Sequence, residues 1–469
     1  MLKKFLAIFA AAAAISLIFI ISPVSADETD CSVSASDGTS SSNLLDDNYR
    51  TKNTYAGGVS FTITSDTEIA GIYIKWDDDP GQWTLTVNGT DYTYGTEGYL
   101  HEYVQLPETS TEVTITLGSA GACITDIYTF DDGDLPDWVQ IWDESYEEAD
   151  ILIFSAHADD EILFMGSIIT TYIDAGYRVQ VAYFCDFYQT EPYRRHELLD
   201  GLWTMGVTHY PQLGEFEDIY STSLETAESQ YDLDEALEYV VETIRRFKPL
   251  VLVSQDLDGE YGHGTHMLVA ELITQAIEIT ADESYYPDSA EKYGTWDVPK
   301  TYLHLYEENT IEIDGRVPLE SFGGLTALEV CEEAYLCHQS QQWMWFYVSD
   351  GYDDDGNEID YDYSFAKFGL YRSLVGEDTG NDVMENVTSY DEQEAEAEAE
   401  SIAESIAESE SIAEEEASIA ESESLAAAQA EKAAQNRKLY MAVAAIVVII
   451  LIVLIIQRVI MSRRKRKHR

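Results

Sequence analysis

Residues 439–456, "LYMAVAAIVVIILIVLII", contain no charge, no Gly and no Pro. A stretch of that length and apolarity has one good conformation: inside a bilayer nothing but the chain itself can satisfy its N–H and C=O groups, so it crosses as a helix. The run "RRKRKHR" follows, and Lys and Arg beside a membrane helix mark the cytoplasmic side. The expectation is a single-pass cell-membrane protein. The chain before residue 439 faces outward, and residues 457–469 form a basic cytoplasmic tail.

The opening "MLKKFLAIFAAAAAISLIFIISPVSA" has Lys3 and Lys4, an apolar stretch and the small-residue exit Val24-Ser25-Ala26. That is the pattern of a secretory signal peptide over residues 1–26, cleaved after Ala26. Export permits disulfides, but five cysteines in 469 residues are too few for a disulfide scaffold. Cys31 and Cys123 bracket the first module and could bridge it. Cys331 and Cys337, on one helix, are separated by a rise of roughly 9 Å, beyond disulfide reach. With Cys185 they are expected to be core thiols. The 88 acids outnumber 26 Lys plus Arg, and only 15 of the acids fall within residues 391–431. The outward-facing part is therefore itself anionic, which repels phosphate backbones and argues against nucleic acid; neutral or cationic substrates fit better.

Residues 27–142 hold short runs rich in Val, Ile, Thr and Tyr, such as "VSFTITS", "IAGIYIKW" and "EVTITLG", separated by Gly, Asn, Asp and Pro. They read as an antiparallel β-sandwich. The segments "NLLDDNYRTKNTY", "IAGIYIKW" and "YVQLPETSTEVTITL" loosely resemble discoidin-type, galactose-binding-like modules. Trp76, Trp83 and Tyr99 could stack on sugars there, or be core and loop aromatics. Residues 150–346 alternate apolar strands ("ILIFSA", "RVQVAYFC", "LVLVSQD", "TYLHLY") with helical periodicity, which predicts an α/β domain with a largely parallel, Rossmann-like sheet flanked by helices. Residues 347–390 form an acidic extension. Asp353, Asp355 and Asp360 in "YDDDGNEIDYDY" offer oxygens suited to calcium, but the stretch reads as a solvated loop. Residues 391–438 are a low-complexity acidic stalk of strong helix formers, roughly 60 Å long over 391–431 if helical, with a disordered spacer as the alternative. Ile402, Ile406, Ile412, Ile419 and Leu425 keep no steady heptad, so no tight coiled coil is expected.

Two polar clusters carry the chemistry. "SAHADDE" (155–161) follows "ILIF", and "DLDGEYGHGTH" (256–266) follows "LVLVSQ". Each lies at the carboxyl end of an expected strand, where open α/β sheets bind ligands. One histidine beside three acids at a buried strand end is costly unless a cation compensates it. His157, Asp160 and His266 supply the three N or O donors of a catalytic metal site that keeps a position for water. Asp159 is the non-ligand carboxylate placed to take the water's proton, and His263 the imidazole placed to stabilise the oxyanion or protonate the departing amine. Zinc suits this donor set, as do iron, cobalt and manganese. His338 in "YLCHQSQQW" reads as a core histidine.

"AHADDE" together with "GHGTH" resembles the PIG-L/LmbE-like family of zinc-dependent N-deacetylases, whose signature is a strand, A-H-P-D-D-E, then H-x-x-H. The resemblance implies an LmbE-like fold over residues 150–346, zinc on His157, Asp160 and His266, Asp159 as general base and His263 as the assisting histidine. It further matches an R-x-x-E helix at Arg194 to Glu197, with Arg194 contacting substrate; a surface ion pair is the other reading of Arg194. Ala158 stands in place of the usual proline, and Thr265 in place of an Asp that would orient a histidine. The implied function is a cell-surface hydrolase removing the N-acetyl group from an N-acetylglucosamine-type sugar or glycan. The alternatives are a glycan-binding adhesin whose domain keeps metal without hydrolysing amides, and a metallohydrolase of another amide.

Overall fold

The computed structural model describes residues 25–353 and 355–465. The expected signal peptide lies almost entirely outside them, as does the end of the basic tail. The chain separates into a unit ending at Tyr390 and a second one after it.

The alternating runs of the first module become seven strands: β1 (Cys31–Ala35), β2 (Asn53–Tyr55), β3 (Ser60–Trp76), β4 (Trp83–Val87), β5 (Thr90–Tyr94), β6 (His101–Thr116) and β7 (Ala122–Phe130). All pairings are antiparallel, in the order β2-β7-β3-β6-β4-β5 with β1 on the free side of β3. Register shifts between Thr64 and Gly71 bend β3, letting one long strand serve both halves of the module. Residues 69–76 of β3 and all of β7 are buried, so their second face is covered too. Trp76 and Trp83 are core residues, not a sugar platform, and both indole N–H groups donate to Glu102 Oε2, at 3.0 and 2.9 Å. Tyr99 packs on Tyr210, with ring centroids 4.7 Å apart. Cys31 and Cys123 are free thiols, as are Cys185, Cys331 and Cys337.

The α/β part contains β8 (Ile151–Ser155), α1 (Asp160–Asp174), β9 (Val179–Tyr183), β10 (Cys185–Asp186), α2 (Tyr193–Thr204), β11 (Phe216–Glu217), α3 (Leu224–Glu228), α4 (Leu233–Phe247), β12 (Val251–Ser254), α5 (Gly264–Ile279), α6 (Pro287–Tyr293), β13 (Lys300–His304), β14 (Thr310–Glu312), α7 (Ala327–Cys337) and β15 (Lys367–Ser373). The main sheet runs β14-β15-β13-β12-β8-β9. β13, β12, β8 and β9 are mutually parallel; β15 is antiparallel to β13 and β14. β8, β9, β12 and β13 are buried throughout, which is why β8 and β12 read as continuous apolar runs rather than alternating ones. Residues 347–390, expected to lie beyond this domain, supply β15, so the sheet does not close at Phe346. Tyr390 closes the unit: its N–H donates to Asp150 Oδ1 at 2.8 Å.

From β8 the chain steps outward to β9, then returns to β12 on the other side of β8. That reversal opens a crevice between the carboxyl ends of β8 and β12, where Phe154 and Ser254 are register partners. Both polar clusters leave the sheet there.

In the second unit, α8 (Tyr390–Lys465) is one continuous helix, exposed over residues 391–462. It is long and apolar enough to cross a membrane.

Candidate active site

β8 delivers His157, and the turn after it is held by its own polar groups. The Ala156 N–H donates to Gln255 Oε1 at 3.0 Å, and the His157 N–H to Asp160 Oδ2 at 3.0 Å. Asp159 has a φ of 104°, a left-handed conformation costly for a side chain-bearing residue. Its N–H is tied to Glu161 Oε2 at 2.9 Å. The turn lets Asp159 and Asp160 leave in different directions, Asp160 starting α1.

Three atoms converge. His157 Nδ1 is 2.9 Å from Asp160 Oδ2 and 3.1 Å from His266 Nε2, and His266 Nε2 is 3.1 Å from Asp160 Oδ2. Donors about 2.0–2.1 Å from a tetrahedral zinc lie about 3.3 Å apart, so these separations fit three of its corners. The far side of each ring fits as well. His266 Nδ1 is 2.7 Å from Glu260 Oε2, and His157 Nε2 is 3.2 Å from Asp218 Oδ1. The Glu260 carboxylate behind His266 fixes the tautomer that turns its Nε2 lone pair to the centre, and the Asp218 charge faces His157 Nε2. Two imidazole lone pairs and a carboxylate oxygen at 3 Å repel unless a cation sits among them, and this donor set suits a divalent transition metal.

Glu260 also reaches His304: Oε1 is 2.7 Å from His304 Nδ1, whose Nε2 faces the Ser364 carbonyl at 2.8 Å. Burial works against the Glu260 charge, but hydrogen bonds from His266 and His304 hold its carboxyl at about 2. Burial likewise opposes ionisation of Asp160, yet His266 and His157 keep it well below the carboxylate range. Asp159 differs: burial, only partly offset by Arg194, lifts it to about 7.

Arg194 is buried rather than a surface charge. Its Nη2 donates to the Ala158 carbonyl and lies 3.3 Å from Asp159 Oδ2. His263 sits against the cluster, 4.8 Å from His157 and 4.7 Å from His266 between ring centroids. Its Nδ1 has no partner among the described residues, and burial, then the neighbouring His157 and His266, press it down to about 3. Thr265 turns its hydroxyl to Ser221 at 3.3 Å. All six sequence-derived residues therefore meet at the crevice: five of them line a cavity of about 250 Å³, and His266 is buried behind it. Leu163, Phe164, Tyr220, Tyr261, Met344, Trp345 and Phe346 supply its apolar wall. A larger cleft of about 530 Å³ beside Tyr99, Tyr210 and Arg246 lacks this donor set.

Sequence reasoning missed Asp218, Glu260, Gln255 and His304. Glu260 stood inside the quoted second cluster, six residues before His266; nothing in "GEFEDIY" distinguished Asp218. His338 is buried, with its Nε2 4.0 Å from Glu161 Oε1. The acidic loop caps itself, since Asp353 Oδ1 accepts from the N–H groups of Asp355 and Asn357 at 3.0 and 2.8 Å.

Residues 152–277 match the family model PIG-L, described as GlcNAc-PI de-N-acetylase. The 1D-myo-inositol 2-acetamido-2-deoxy-alpha-D-glucopyranoside deacetylase of Streptomyces scabiei (strain 87.22) is 29% identical over 178 residues, 32% of this chain and 54% of that protein. Deacetylase 1 of the same description from Catenulispora acidiphila is 26% identical over 212 residues, 39% of this chain and 64% of that protein. The chain thus spans just over half to somewhat under two thirds of these curated relatives. Among solved structures, N,N'-diacetylchitobiose deacetylase from Pyrococcus horikoshii aligns with a TM-score of 0.34 and 16% identity, over 45% of this chain and 74% of that one. Residues 152–277 are a PIG-L-type domain, homologous to deacetylases.

Proposed function

We propose that the chain is a membrane-anchored, outward-facing hydrolase that removes the acetyl group from an N-acetylglucosamine-type sugar or glycan, using zinc or another divalent transition metal on His157, Asp160 and His266. One observation carries the reading: His157 Nδ1, Asp160 Oδ2 and His266 Nε2 lie 2.9–3.1 Å apart, with an unligated carboxylate, Asp159, in the same cavity. The match to a de-N-acetylase family supports the bond cleaved.

A metal bound there supplies Lewis-acid polarisation of the acetyl carbonyl and of an attacking water. Asp159 takes the water's proton as oxygen joins the carbonyl carbon. Burial, partly offset by Arg194, raises its basicity, which suits it to accept that proton and to return it to the amine as the C–N bond breaks. Acetate and a free amino sugar leave. Arg194 first positions Asp159, through its contacts to the Ala158 carbonyl and to Asp159 Oδ2, and it also lines the cavity where substrate binds. Of the two roles open to His263, the low basicity imposed by burial and its neighbours favours a neutral N–H donor to the oxyanion over an acid for the amine.

Thr265, in place of an Asp that would orient a histidine, is the feature that supports the alternative of an adhesin binding metal without catalysis. Glu260 and Asp218 already back His266 and His157, which favours the enzyme. The test is acetate release by the full chain in detergent micelles, zinc supplied, from N-acetylglucosamine oligomers and cell-wall glycans, beside Asp159→Asn. Release by the parent, with a loss of about 10²–10⁴-fold in the variant while metal stays bound, is the expected result. No release from any glycan would return the chain to the binding reading.

A further inference from the structure

Beyond the catalytic cavity, the segment after α7 presents "QQWMWFY" to solvent. Trp343 is 79% exposed and Trp345 56%, and across the mouth Tyr220 is 72% exposed. Trp345 and Tyr220 both line the cavity rim. Trp345 packs tilted on Phe346, with ring centroids 4.2 Å apart, and edge-on to Tyr261 at 6.3 Å; Tyr220 lies 5.2 Å from His263. Trp345 and Tyr220 are exposed aromatics continuous with a polar catalytic cavity, and Trp343 stands exposed two residues before Trp345; such patches mark binding sites.

The segment is anchored. The Ser340 N–H donates to Glu197 Oε1 at 2.9 Å, and the Ser340 hydroxyl to Glu197 Oε2. Glu197 is one turn after Arg194 on α2. Its Oε1 is also 3.4 Å from Arg50 Nη2 of the first module. Catalytic helix, strand module and aromatic segment thus share one carboxylate, which fixes where the indoles stand relative to Asp159.

We infer that Trp345 and Tyr220 form an inner aromatic rim and Trp343 an outer platform for successive rings of a neutral polysaccharide, so that the enzyme acts on chains of N-acetylated amino sugars rather than on a free monosaccharide. This rests on the deacetylase reading above. A cavity of about 250 Å³ has room for about one sugar ring among the catalytic groups. Further rings must lie outside it, where an aromatic face packs against the C–H face of a pyranose. The formal charge of −62 disfavours an anionic polymer.

The test is kcat/KM for acetate release by the full chain in detergent on β-linked N-acetylglucosamine oligomers of two to six units, comparing the parent with Trp343→Ala and Trp343→Phe. The parent should favour the tetramer over the dimer at least tenfold. Trp343→Ala should collapse that ratio to below threefold, and Trp343→Phe should keep most of it. A parent indifferent to length, or a Trp343→Ala loss equal at every length, overturns the proposal. If no oligomer releases acetate, the deacetylase reading falls, and titration calorimetry of hexamer binding decides the platform separately: affinity unaltered by Trp343→Ala overturns it. So does quenching by brominated phosphatidylcholine bilayers of the parent's fluorescence but not that of Trp343→Phe, which would put the ring in lipid.

Discussion

Glu260 offers the sharpest test of how the centre is built. It is fully buried, and its two oxygens each lie 2.7 Å from a ring nitrogen, of His266 and of His304. Charge-assisted hydrogen bonds of this kind contribute about 1.5–3 kcal/mol each. Glu260→Ala should therefore destabilise the metal-free chain by about 3–6 kcal/mol, with both ring nitrogens left dry. It should also weaken metal binding by about 100-fold, because His266 loses the group that keeps its Nε2 lone pair turned to the centre. Glu260→Gln is the discriminating variant. Its amide oxygen can still accept from His266 Nδ1–H, and its NH₂ can face His304 Nδ1 while His304 Nε2–H stays on the Ser364 carbonyl, 2.8 Å away. The two ring contacts survive, but the charge is lost and with it the 3.2 Å hydrogen bond that the Asp256 N–H donates to Oε1, so stability should fall by about 1–3 kcal/mol and metal affinity by about tenfold. Chelator-competition titrations give the affinities; denaturant unfolding of the metal-free chain gives the stabilities. Glu260→Ala binding metal as tightly as the parent would refute the argument, and so would Gln costing as much as Ala.

Three further outcomes follow from the geometry. Arg194→Lys keeps the charge but not the placement of Nη2, the one nitrogen that contacts both the Ala158 carbonyl and Asp159; kcat for acetate release should drop about 10–100-fold with metal content unchanged, and a rise in KM alone would contradict the positioning role. His338 is buried and pressed to about 3 by burial and then by the Arg194 charge, whereas the unfolded chain's imidazole titrates near 6.5. Unfolding therefore takes up a proton below about 6.5, and this histidine's contribution, complete above that pH, is lost at about 1.4 kcal/mol per unit as pH falls toward about 3. Between pH 6.5 and 5 His338→Gln should lose about 2 kcal/mol less than the parent; equal losses in urea titrations would rule this out. A Cβ at Gly166 would meet Cys331 Sγ at 2.5 Å, between α1 and α7, so Gly166→Ala should cost about 1–3 kcal/mol, largely restored by adding Cys331→Ala; no rescue in the double variant would show that the clash is not the cause.

The central strands β8 and β12 and the two polar clusters were legible because these buried parallel strands are short, nearly unbroken apolar runs, and because the chemistry of an open α/β sheet collects where those runs stop. What escaped depended on contacts distant in sequence. Glu260 takes its role from His304, 44 residues on. β15 is a seven-residue strand, "KFGLYRS", in an acidic, Tyr-rich stretch whose alternation is too short to outweigh its surroundings. Trp76 and Trp83 were ambiguous because a strand's pattern tells which residues share a face, not that both faces are covered. Cys31 and Cys123 could not be resolved from spacing, since sheet order decides: Cys31 pairs opposite Ser65 on one half of β3, and Cys123 sits on β7 opposite Thr54.

The deepest of these long-range effects concerns the first module. From sequence it is a β-sandwich that could bind glycans, with its contact to the α/β domain left open. In the folded unit its His101 Nε2 lies 2.8 Å from His196 Nδ1, its Lys75 Nζ 3.8 Å from Asp200, and its Arg50 3.4 Å from Glu197. All three partners lie on α2, the helix that carries Arg194. His101 and His196 are buried, and a buried imidazole pair tolerates little displacement without orphaning a ring nitrogen. A module free to swing on a linker would not bury such a pair. The module is therefore a wall of the α/β domain: it braces the helix that holds Asp159 through Arg194 and, through Glu197, the segment that carries Trp343 and Trp345.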